Sequence, residues 1–246
     1  MKKFMITALA LVCSSAAIAA TDHAVLNVEG EIQINGKTVI DKDGNWTGKL
    51  TSNVINIEEY ADAISVTRVV LKKKNDDSNE YHLVYNPSTG VATKEESLIN
   101  NDVFWSMEWF DRTNVSNKVK TTTKNWNEDT QSHQTCTNTV ANTFAATTSY
   151  APVALGSLSA RGDVYTSETL SNDCDADTIG TTTQNYLSMA MIVTAQASYT
   201  FGQETLEDCI YVSQINSWRD TVQPRVYCKG VGLVAFDDFE LKTIIK

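Results

Sequence analysis

Met189–Phe201, MAMIVTAQASYTF, alternates with a period of two. Met189, Met191, Val193, Ala195, Ala197, Tyr199 and Phe201 fall on one side, and Thr194, Gln196, Ser198 and Thr200 on the other. Successive side chains of a strand point to opposite faces, so this run reads as a long strand with one buried and one solvated face. Asp208–Ile215, Arg225–Phe236 and Phe239–Ile245 follow at hairpin spacing and predict an antiparallel meander that ends the chain.

The same period extends upstream. Ala63–Lys73 and Tyr81–Tyr85 flank the polar turn Asn75–Asn79 and read as a hairpin. Val103, Trp105, Met107 and Trp109 share one face of a strand, whereas a helix would scatter the apolar residues of Val103–Phe110 around its circumference. Thr113–Tyr150 is rich in Thr and Asn and reads as long exposed strands, with a loosely ordered spacer as the alternative. Thr93–Asn101 is the best helix candidate, because Thr93 and Glu96 are spaced as a capping box. Near the N-terminus, Asn35-Gly36 between Glu31–Ile34 and Lys37–Ile40 is a tight-hairpin signal. Three prolines in the whole chain suit long uninterrupted strands. The expected fold is mainly β: an antiparallel curved sheet or open barrel-like sandwich with a C-terminal hairpin meander and little helix. The expected organisation is a signal peptide over 1–20, a hairpin segment over 21–50 and one β-rich domain over 51–246.

The 246 residues are 42% hydrophobic and 20% charged, enough apolar material for a core. The net charge of −10 disfavours binding to a phosphate backbone. Met1-Lys2-Lys3, the apolar run Phe4–Ile18 and the small-x-small site Ala17-Ile18-Ala19 form the layout of a secretory signal. Cys13 raises lipoprotein processing as a rival, but Ala10 and Val12 stand where a lipobox wants Leu and a small residue. Cys136, Cys174, Cys209 and Cys228 then remain, an even number in an exported chain, and two disulfides are expected. Four cysteines allow three connectivities. Cys209–Cys228 is favoured, because the two lie in neighbouring strand-like runs around a turn near Ser217–Thr221; this leaves Cys136–Cys174. A zinc site is disfavoured, since no cysteine pair has two-residue spacing.

Two stretches carry a resemblance. Glu31–Trp46, EIQINGKTVIDKDGNW, resembles the mature N-terminal segment of exported proteins of Gram-negative, often marine, bacteria. Tyr227–Val234, YCKGVGLV, followed by Glu240-Leu241, is similar to the closing motif of many β-rich envelope proteins. The resemblance implies a curved antiparallel sheet and a periplasmic or extracellular location. It carries no catalytic residues.

Candidate chemistry is sparse. The histidines are His23, His82 and His133, with no Gly-x-Ser-x-Gly elbow, so no activated nucleophile is visible. The doublets Glu58-Glu59, Asp76-Asp77, Glu95-Glu96 and Asp237-Asp238 split across opposite faces if they lie in strands. Asp173, Asp175 and Asp177 alternate as weak calcium candidates, but Thr178 and Gln184 occupy the two diagnostic positions of an EF-hand loop. Arg161-Gly162-Asp163 reads as a chance tripeptide, and Lys72-Lys73-Lys74 as an edge-strand guard. Trp105, Met107 and Trp109 read first as core and second as a ligand surface. The expectation is an exported, non-enzymatic protein that binds a small hydrophobic or carbohydrate-like ligand, or an envelope protein, through its sheet. No cofactor, nucleic-acid partner or transmembrane segment of the mature chain is expected. A structural or adhesive subunit and a hydrolase using dispersed carboxylates are the alternatives.

Overall fold

The computed structural model describes residues 32–34, 37–40, 54–217 and 219–246. The expected signal peptide lies outside the described residues. The chain falls into two units, 1–51 and 52–246. In the first, β1 (Ile32–Ile34) and β2 (Lys37–Ile40) pair antiparallel with Ile34 opposite Lys37, the hairpin expected around Asn35-Gly36.

The second unit is a closed ring of twelve antiparallel strands in chain order. After the short helix α1 (Glu58–Ala61) come β3 (Arg68–Lys73), β4 (Asp76–Tyr85), β5 (Ala92–Ile99), β6 (Asp102–Phe110), β7 (Ser116–Asn127), β8 (Ser132–Thr147) and β9 (Leu158–Asn172). The ring continues with β10 (Thr182–Phe201), β11 (Glu204–Asn216), β12 (Arg219–Cys228), β13 (Gly232–Phe236) and β14 (Phe239–Ile245), and β14 pairs with β3 to close it. The Thr-rich middle forms β7 and β8, twelve and sixteen residues long, because branched side chains suit a pleated surface.

Two expectations need correction. Residues 93–101 do not form a helix; they make most of β5 and the turn that follows. Asn100 and Asn101 take φ of 53° and 65°, the two positive values a type I′ turn requires, and join Ile99 to Asp102. Arg225–Phe236 is two strands, split by a turn at Lys229–Val231. Closure also removes the basis for reading Lys72–Lys74 as an edge guard, since β3 pairs on both sides. Instead, Lys72 pairs with Asp77 at 2.9 Å and Lys73 with Asp238 at 3.4 Å.

Directly opposed residues share a face, so the register assigns the two sides of the wall. One face holds the series Leu71–Tyr81–Ser97–Trp105–Thr123 and Val69–Leu83–Glu95–Met107–Thr121. It is the interior: Tyr81 and Phe236, three strands apart, bring their rings to 4.9 Å across the concave side. The other face holds Val70–His82–Glu96–Ser106–Thr122, ion-paired through Lys94–Glu96 (2.6 Å) and Lys242–Glu80, with His82 Nε2 hydrogen-bonded to Glu80 at 2.7 Å. Such outward charges are the opposite of the apolar band a lipid-facing barrel carries. Outward apolar residues gather on β9–β12, where Leu158, Ile215 and Val222 are exposed. Among the described residues no helix is long and apolar enough to cross a membrane.

One end is plugged. Ile55, Ile57, Tyr60, Ala63 and Val66, from the segment around α1, are buried with Tyr150 and Val153 of the β8–β9 connection, and Ile55 bridges Val153. Burying side chains of this size contributes about 1.5–3 kcal/mol each. The exposed pair Lys229–Glu59 adds little by comparison. Polar contacts set the plug's orientation. Tyr60 Oη donates to Asp208 at 2.7 Å and accepts from Gln196 at 3.0 Å. Burial and the Asp208 bond push the Tyr60 pKa up to about 12, so it remains a donor through the neutral range. The Tyr60 bond, and a second one that Gln196 donates directly to Asp208 at 2.9 Å, hold Asp208 below the usual carboxylate range.

A carboxylate with a depressed folded-state pKa gives stability that is present above its unfolded value and lost as pH falls through the folded one. Thermal melts of Asp208→Asn across the acid range should therefore show a flatter acid limb than wild type. Tyr60→Phe should cost about 1 kcal/mol at neutral pH, the usual worth of one such bond. An unchanged acid limb in Asp208→Asn would remove this assignment.

Candidate functional site

The interior is filled unevenly. The hydrophobic cluster draws on the plug, β3, β4 and β10–β14, with Ala92 of β5 at its margin. The opposite wall, β6–β9, supplies no member of that cluster among the described residues. There Trp105, Met107, Trp109, Thr121, Thr123, Val140, Phe144 and Tyr165 stay only half-buried. Eight strands already enclose a small ligand in some barrels, and sixteen leave a water-filled channel; a twelve-stranded ring lies between the two.

Trp105, Met107 and Trp109 face the lumen together, as their strand spacing predicts; Phe104, on the outward face, is 39% exposed. They are neither packed core nor outer surface. A polar group stands beside them. Glu95 is directly opposite Met107, and its carboxylate accepts a hydrogen bond from Tyr81. Burial pushes the Glu95 carboxyl up, opposed by the Tyr81 bond and by the fields of Arg225 and Arg112. The Arg112 guanidinium lies 5.1 Å from the centroid of the Trp109 ring. Arg225 reaches Tyr227 Oη at 3.4 Å and Gln223 Oε1 at 3.5 Å and sits over the Phe236 ring. Burial works against the Arg225 charge, but Tyr227, Glu95 and Tyr81 outweigh it and leave its pKa raised. Further round the wall, Asn185 donates to Ser167, Ser167 to Asn142, and Asn142 to Asn117, a chain of amides and a hydroxyl across four strands. Asn138 Oδ1, Tyr150 Oη, Arg161 Nε, Gln214 Oε1 and Arg225 Nε are buried without a hydrogen-bond partner.

The other expected residues lie elsewhere. Cys136–Cys174 and Cys209–Cys228 are both disulfides. The second joins opposed residues of β11 and β12, as expected. Disulfides form and persist in oxidising surroundings. Asp173, Asp175 and Asp177 do not converge. Asp173 accepts from Thr137 N–H, and it clusters instead with Cys136 and Cys174, whose sulfurs are committed to each other. Arg161 and Asp163 of the Arg-Gly-Asp tripeptide face the lumen and pair at 2.9 Å, so the tripeptide is not a displayed loop. His82 lies outward beside Glu80, and His133 lies edge-on to Trp126, each apart from the lumen group. Glu95 and Glu96 occupy opposite faces, as adjacent strand residues must.

The sequence reading missed Glu95, Arg161 and Arg225 as lumen groups, and Arg112, exposed in the β6–β7 connection, as the cation over Trp109. Glu95 was hidden by the helix reading of its segment. The arginines carried no local signal, because only ring closure brings β5, β9 and β12 around one interior. No protein-family model matches the chain, and neither a curated protein nor a solved structure is significantly similar to it.

Proposed function

We propose that this chain is an exported, non-enzymatic binding protein that holds a small apolar or ring-bearing ligand inside its barrel, against the wall formed by Trp105, Met107 and Trp109. The observation that carries this reading is the half-buried state of those three side chains on an interior wall that the hydrophobic cluster leaves uncovered. Indole rings stack on sugar and aliphatic surfaces alike, and the neighbouring orphan polar atoms supply orientation. The envelope resemblance and the two disulfides support a periplasmic or extracellular setting.

A structural subunit assembled through free strand edges is less well supported. Closure leaves none of the twelve barrel strands as an edge, and edges are what template strand addition. A hydrolase is less well supported too, since Glu95 and Asp163 are each committed to a different partner.

The test is native mass spectrometry of the protein purified from its exporting host, followed by titration of the identified ligand into Trp109→Ala and Trp105→Ala. The expected result is a non-covalent adduct on the monomer and an affinity loss of tenfold or more in Trp109→Ala, with the melting temperature little changed. A bare monomer whose intrinsic fluorescence no apolar or sugar probe perturbs would sink the reading.

A further inference from the structure

Arg161 and Arg225 face the lumen together with Glu95 and Asp163, and Arg112, exposed in the β6–β7 connection, lies over the Trp109 ring. Asp163, only 6% exposed, is taken up by Arg161 at 2.9 Å. Glu95 is thus left to two guanidiniums, and neither bonds to it: its hydrogen bond comes from Tyr81, and Arg225 and Arg112 act on it through space.

Arg225 has the most unspent capacity. A guanidinium offers five N–H donors in a planar fork that fits a carboxylate. Here the fork makes two long contacts, 3.4 and 3.5 Å, both to neutral acceptors, and Nε makes none. Its plane lies over Phe236, whose ring stacks with Phe239 at 5.0 Å. Gln214 and Gln223, each 3% exposed, occupy opposed positions on β11 and β12, and Gln214 Oε1 has no partner. A buried cation is costly unless it is paired. This one stands with donors to spare, beside apolar rings and across the lumen from the Trp105–Met107–Trp109 wall.

We infer that the lumen ligand is an anion: an apolar or aromatic molecule whose carboxylate is taken by Arg225 and whose body lies along Trp105, Met107 and Trp109. This inference rests on the lumen reading above. Arg112, over Trp109, supplies the second positive charge along the wall. Glu95 is the opposing charge, so removing it should help an anion while removing Arg225 should hurt it.

The experiment titrates decanoate and decanol, equal in chain length and different in charge, into the full disulfide-bonded protein, into Arg225→Gln and into Glu95→Gln, reading tryptophan fluorescence. Decanoate is expected to bind wild type at least tenfold more tightly than decanol. Arg225→Gln should abolish that preference, and Glu95→Gln should strengthen decanoate binding several-fold with decanol unchanged. A general packing defect would weaken both probes in both variants, so the opposite signs separate charge recognition from misfolding. Equal binding of the two probes, unaltered in the variants, overturns the anion inference and leaves the lumen reading standing. Binding of neither probe to wild type overturns both.

Discussion

Gly232→Ala is expected to destabilise the barrel by about 3 kcal/mol or more, the largest effect of any single small substitution proposed for this chain. Two costs combine. Gly232 sits at φ 84°, a backbone conformation L side chains rarely adopt, worth of order 1–3 kcal/mol. An added Cβ would also stand 2.6 Å from Tyr85 Oη, 3.1 Å from Tyr85 Cζ and 3.3 Å from the Ala61 carbonyl oxygen. Tyr85 is 5% exposed and belongs to the core cluster beneath the plug, so it has little room to yield, and overpacking costs about 1–3 kcal/mol. The check is urea denaturation of Gly232→Ala, Tyr85→Phe and the double variant. Removing Oη relieves the closest contact and leaves both the Cζ contact and the φ strain. The cycle should therefore return a favourable coupling of about 1 kcal/mol, with the double variant still well below wild type. Gly232→Ala as stable as wild type would show that the turn relaxes freely and that Tyr85 does not hold it.

Removing the Cys209–Cys228 disulfide by a double change to Ala should cost about 3 kcal/mol, and more than removing Cys136–Cys174. Loop length alone argues the reverse, since the separations are 19 and 38 residues and a longer closed loop restricts the unfolded chain more. That difference is small, because the entropic gain grows only with the logarithm of length, about 0.6 kcal/mol per doubling. Packing outweighs it. Cys209 and Cys228 are fully buried within the core cluster, whereas Cys174 is exposed in the connection between β9 and β10. Deleting buried sulfur leaves a cavity as well as a freer chain. For a chain of this size about 3 kcal/mol corresponds to a fall of roughly 6–12 °C in melting temperature. Scanning calorimetry of the two double variants decides the order. A larger drop for the Cys136–Cys174 pair would mean that chain entropy outweighs packing.

These effects concentrate on the strands that build the hydrophobic cluster, away from the Trp105–Met107–Trp109 wall. Trp109 and Trp105 can change with little loss of stability because the cluster that holds the fold is built by other strands. The proposed binding wall and the folding core thus occupy different strands of one interior.

Local chemistry in the sequence was enough to determine the class of fold. Period-two alternation in Met189–Phe201 and Val103–Phe110 identified strands and assigned Trp105, Met107 and Trp109 to one face, because a strand's side-chain period does not depend on what it packs against. Cysteine parity and strand adjacency were enough to pair Cys209 with Cys228. The signal failed where a short motif has two local meanings. Thr93 and Glu96 mimic a helix cap, while Asn100-Asn101, a type I′ turn, decides the segment as strand only once β4 and β6 stand on either side of it. Ring closure was out of reach for the same reason on a larger scale. Whether twelve strands close depends on accumulated twist and register, which no single segment encodes. Only that closure brings Glu95 of β5, Arg161 of β9 and Arg225 of β12 around a common interior.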